Sequence, residues 1–237
     1  MSARINALLP AALIRIFAFA GFFSAAILLV NAAKRAGIIP TSPFTQLAAP
    51  LAQVAAIGLV IGAYVVMSRP AGALATSGAV LSVTSLAGLV GVEFVLNLVF
   101  PYIGQDVIAV LRAGPLGIAL TVVSLVFLLG TVVFMLALWR TSNVPKAVVI
   151  LYTLSSVPIA LRTVFPETVL QLGLVGLAVA AAFLAFWILR NVPRASNNVS
   201  QQLAEQRITP LPGTSGRSPT GGYSPPRNRS RVWPLKH

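Results

Sequence analysis

The chain is divided into apolar runs of roughly 20 residues, the length an α-helix needs to cross the hydrocarbon core of a bilayer. No other feature restricts the fold as severely. In lipid, backbone N–H and C=O groups must be satisfied by a helix or by a closed barrel, and these runs are continuously apolar, without the alternation of barrel strands. Only 9% of residues are charged and mean hydropathy is +0.89, where a soluble domain carries about a quarter charged residues. The pattern predicts spans at about 11–30, 46–67, 78–100, 116–139, 147–164 and 168–189. The expected fold is therefore all-α: a polytopic bundle of six transmembrane helices over 1–190, followed by a tail at 191–237.

That tail is rich in Ser, Asn, Gly, Pro and Arg and too poor in apolar side chains to build a core, so it is expected to be disordered. It also holds much of the charge. The net charge is +13, and eight of the seventeen basic residues lie from Arg190 onward. Beside a membrane, such a tail attracts anionic lipid headgroups. It lacks the interleaved aromatics of a single-strand binder, and no nucleic-acid partner is expected. Trp233, near its end, is an aromatic that could reach a membrane surface.

The residue inventory narrows the chemistry. There is no cysteine, and the one histidine is the last residue, His237. Thiolate chemistry and the usual general base and metal ligand are therefore missing from any span. No metal and no cofactor is expected. The acids are Glu93, Asp106, Glu167 and Glu205, and only Glu93 falls inside an apolar run. A carboxylate there costs roughly 2.5–3.5 kcal/mol on insertion scales, so it should face protein or water. Asn97, four residues on, shares its helical face. Arg15 is expected to snorkel to the headgroups, with a pairing to Glu93 as the sharper alternative. Pro158 interrupts the run at 147–164 behind Ser155 and Ser156 and predicts a kink, which in some proteins lines a transport path.

Packing and orientation leave further marks. Gly58 and Gly62 form a G-x-x-x-G pair that lets helix backbones approach, and Gly88 and Gly91 enrich the run around Glu93 in small residues. Trp139 with Arg140, and Trp187 with Arg190, place an aromatic and a cation at span ends as interface anchors. The stretch 105–112 reads as a short interfacial helix with Asp106 near its N-terminus. With both termini cytoplasmic, the inner side carries Arg4, Arg69, Arg140, Lys146 and the tail cations. The outer side carries Lys34, Arg35, Arg112 and Arg162. That bias favours N-in, C-in in a cell inner membrane.

The segment 125–161, through Gly130, Arg140, Pro145 and Pro158, resembles a pattern in six-helix integral membrane proteins of high-GC bacteria, grouped as a family of unknown function. The resemblance covers about residues 10–190 and leaves the tail outside. Where that family commonly places Trp shortly after the turn proline, this chain has Lys146 and Ala147. It implies a fold and a location, and brings no catalytic or binding residue with it. Two functions are left in view. One is a non-enzymatic scaffold or accessory subunit, with other membrane subunits as partners and Glu93 as a satisfied structural carboxylate. The other is a small proton-coupled transporter in which Glu93 titrates and Asn97 orients substrate. An enzyme is not expected, because no nucleophile–base set is visible.

Overall fold

A computed structural model of the chain describes residues 11–67 and 72–208, apart from the side chains of 141 and 193–208. The described residues are helical and connecting segments, without strands. In chain order the helices are α1 (Ala11–Arg35), α2 (Pro43–Val66), α3 (Ala73–Phe94), α4 (Gln105–Ala113), α5 (Pro115–Thr141), α6 (Lys146–Ala160) and α7 (Glu167–Ile208). Beyond α3 the chain continues through a π turn at Val95–Val99 and a 3₁₀ turn at Phe100–Tyr102. Five helices are long and apolar enough to cross a membrane: α1, α2, α3 with its continuation, α5 and the Glu167–Val192 part of α7. This is the make-up of a helical membrane bundle. The sixth apolar helix, α6, has 15 residues and rises about 22 Å, short of the roughly 30 Å of a bilayer core.

The helix ends differ from the hydropathy boundaries because local capping, not apolarity, sets them. The first helix runs on through Lys34 and Arg35, cations that suit the negative end of its dipole. It stops in a Schellman turn: Ile38 N–H donates to Ala33 O, Gly37 N–H donates to Lys34 O, and Gly37 has φ +73. α2 starts three residues before the expected span. Ser42 caps it, with its hydroxyl accepting from Thr45 N–H and Thr45 Oγ1 accepting from Ser42 N–H, and Pro43 occupies the first turn.

Two expectations are corrected. The run at 147–164 becomes a helix only to Ala160, after which 161–165 turn; Pro166 disfavours helix at the residue before it. The chain does not leave helix at Asn191 either. α7 continues to Ile208, and its last stretch, QQLAEQR at 201–207, consists of strong helix formers outside the apolar segment. The expectations for Arg4, Arg69 and the tail after Ile208, Trp233 included, lie outside the described residues.

The five long helices and the shorter α6 form a closed ring. Each packs on the next in the order α1, α2, α3, α5, α6, α7, and α7 returns to α1, while α2 also reaches α7. α4 lies against α5 with only Ile108 buried. Small residues set the closest approaches. A Cβ on Gly78 would sit 2.8 Å from the Phe134 backbone, and one on Gly130 would sit 2.9 Å from the backbone of Leu81 and Ser82. Thus α3 and α5 meet backbone to backbone. Gly58 and Gly62 face Ala20 and Phe17 of α1, so this pair joins helices of one chain. Gly88 abuts Val123, whereas Gly91 has open space beside it. Ser24 adds a buried tie by donating to Ala52 O of α2 at 2.8 Å. Ser24→Ala should cost about 0.6 kcal/mol, the typical value for such bonds, read as a shift in the denaturant midpoint of the detergent-solubilised protein.

Candidate functional site

Glu93 lies on α3 two residues before the π turn begins, at the end of the bundle where α1 and α6 finish and α2, α5 and α7 start. The π turn has a local cause. The Asn97 side chain folds back so that Nδ2 donates to Glu93 O at 3.0 Å and to Glu93 Oε2 at 2.8 Å. Pro101, two residues past the turn, offers no N–H to the ladder. Such turns concentrate at functional sites because they re-aim side chains.

The Asn97 carboxamide then reaches across to α1. Its Oδ1 accepts from Lys34 Nζ at 2.8 Å. One amide therefore connects a cation to a carboxylate, with its donor toward Glu93 and its acceptor toward Lys34, the only amide orientation that satisfies both neighbours. A second cation approaches from the turn after α6. Burial pulls the Arg162 guanidinium below its ordinary pKa, and the nearby Glu93 carboxylate acts in the opposite direction. An arginine stays charged across accessible pH. At the rim, Arg35 Nη1 donates to Glu167 Oε1 at 2.9 Å, joining α1 to α7. This pair is well exposed, so Arg35→Ala should cost no more than about 1 kcal/mol and lose its effect in high salt, as a salt series of unfolding midpoints would show.

Behind Glu93 a narrow cavity of about 30 Å³ runs into the ring, lined by the five long helices and α6. Glu93, Asn31 and Gln53 line it, with Ser24 and the buried Tyr152 deeper in, and leucines and alanines make up most of the rest. That volume suits about one or two waters. Asn31 Oδ1 is buried and has no hydrogen-bond partner among the described residues.

The other sequence-selected residues are distributed as follows. Arg15 is exposed near the start of α1, about 28 Å along the helix from Lys34, so the pairing with Glu93 is not made. Pro158 packs against Gly173 of α7 two residues before α6 ends, and does not line the cavity. Trp139 is half exposed with Lys146 Nζ 5.0 Å from its ring centroid, and Arg190 lies 4.4 Å over Phe186, beside a half-buried Trp187. Arg140 is exposed. Lys34 is the residue that sequence reading assigned to a loop. The signal was its position in the last turn of a helix that capping extends, on a face with Asn31.

Comparison with known proteins adds no family to this geometry. The chain matches no protein-family model, no curated protein and no solved structure.

Proposed function

We propose that the chain is a non-enzymatic integral membrane protein, a scaffold or accessory subunit of a larger membrane assembly, with Glu93 as a structural charge. The observation that carries this reading is the Lys34–Asn97–Glu93 connection, with Arg162 beside it. It ties α1, α3 and the end of α6 together, and it engages the one carboxylate that an apolar run contains. The cavity behind it is small, with room for about one or two waters. In this reading six helices span the bilayer, the short α6 being accommodated by local thinning and by snorkelling of Lys146. Both termini are cytoplasmic on the cation distribution, the membrane is a bacterial inner membrane as the resemblance implies, and the basic tail attracts anionic headgroups.

The second reading, a proton-coupled carrier, draws support from one feature: a carboxylate at the mouth of a cavity that every long helix lines. A flux measurement separates the two. Full-length protein in proteoliposomes holding a pH-sensitive dye should dissipate an imposed proton gradient no faster than protein-free liposomes. Faster dissipation that Glu93→Gln abolishes, in protein that remains folded, would overturn the scaffold reading and establish the carrier.

A further inference from the structure

At the opposite end of the bundle from Glu93, the outer surface between α5 and α6 is cut by a groove of about 320 Å³. Its floor is the buried pair Met135 and Val149, and exposed Ile150 and Leu154 form one wall. Thr153 is the polar exception, and its hydroxyl already donates to Val149 O at 2.9 Å. The groove therefore presents hydrocarbon without a competing hydrogen-bond demand. From Trp139, which closes one end, to Val132 it follows α5 for about 10 Å. A hydrocarbon chain fits along this length.

The closed end carries the charge. Lys146 Nζ stands 5.0 Å from the Trp139 ring centroid, and exposed Arg140 follows Trp139 in the chain. The acids whose side chains are described, Glu93, Asp106 and Glu167, all lie at the other end of the bundle. Among the described side chains, two cations thus lie at the Trp139 end of an apolar slot without a neighbouring carboxylate, beside an aromatic of the kind that marks the headgroup level.

We propose that this groove binds one acyl chain of an anionic phospholipid whose headgroup phosphate is held by Arg140 and Lys146. The proposal rests on the reading of the chain as a membrane bundle. Anionic headgroups are attracted by about fivefold per cation near the surface, so the two together confer about 25-fold preference over a zwitterionic lipid.

The full chain, in detergent, is titrated with phosphatidylglycerol and with phosphatidylcholine and read by native mass spectrometry. One phosphatidylglycerol per chain is expected to be retained. Arg140→Gln with Lys146→Gln should remove its preference over phosphatidylcholine, and Ile150→Trp, which fills the groove from an exposed position, should release it. Equal retention of both lipids by the unmodified chain overturns the proposal. So does undiminished phosphatidylglycerol on the Ile150→Trp protein, which would assign the lipid to the basic tail. A phosphatidylglycerol carrying a photoreactive acyl chain gives a test on the unmodified chain: labelling within 132–154 is expected, and labelling confined elsewhere sinks the site. An alkaline wash of native membranes separates this outcome from failure of the membrane reading, since an integral protein stays in the pellet whether or not the groove holds lipid.

Discussion

Gly130→Leu is expected to leave little folded protein, with a stability loss of about 3 kcal/mol or more. The reason is what the new side chain meets. A Cβ there falls 2.9 Å from Leu81 C and Ser82 N, atoms of a helix backbone that cannot rotate aside. Gly78 makes the reciprocal contact on α3, against the Phe134 backbone at 2.8 Å, so the two helices cannot separate locally without losing both approaches. In lipid, close van der Waals contact between helices does most of the holding, because the surrounding tails are as apolar as the side chains. Gly91→Leu is the matched control: it lies on the same helix as Gly78 and has no atom within 4 Å of its Cβ position. Its cost should stay within about 0.5 kcal/mol, as for a surface change. Unfolding by denaturing detergent in mixed micelles, followed by circular dichroism, measures both. Equal stability of the two variants would mean that α3 and α5 do not meet at this distance.

Glu93→Gln should destabilise the bundle by roughly 1–3 kcal/mol, and the loss should be partly recovered by adding Lys34→Met. Glutamine keeps an oxygen acceptor for Asn97 Nδ2, so the change removes charge more than it removes a hydrogen bond. What remains is Lys34 on Asn97, and Arg162 beyond it, half-buried and without the carboxylate between them. Removing the Lys34 ammonium as well relieves that repulsion. The four proteins form a double-mutant cycle, and a coupling of about 1 kcal/mol is expected. Strict additivity of the two changes would show that the Asn97 relay carries no energy between them. The cycle also bears on function, because the scaffold reading makes Glu93 a stability residue, whereas a carrier would tolerate Glu93→Gln in its fold and lose its flux.

Much of the site was legible in part. Asn97 was placed with Glu93 from spacing alone, and the structure gives the contact at 2.8 Å. Pairing of Arg15 with Glu93 is only the alternative to snorkelling on the sequence, and in the structure Lys34 is the cation that reaches Asn97 beside Glu93. Spacing cannot make this choice. Which helix end meets Glu93 follows from how many residues precede it in α3 and from the continuation of α1 past its apolar run to Arg35. That continuation depends on the Gly37 turn. Pro158 shows the opposite limit: a proline in an apolar run predicts a kink, but only the neighbour on α7 shows that it fills the space over Gly173.

The sequence by itself determined the all-helical class, the approximate place of every long helix, and the isolation of one acid among apolar residues. These are properties of local composition and spacing, and lipid as the expected solvent enforces them on each segment separately. The tertiary structure alone decided the ring order, the backbone contacts of Gly78 and Gly130, the Lys34–Asn97–Glu93 relay and the groove under Trp139. Helices that are apolar on all sides have no hydrophobic face to announce their neighbours, because lipid and helix interior are alike to them. Their partners are chosen by where small residues let two backbones close, and that is a property of pairs.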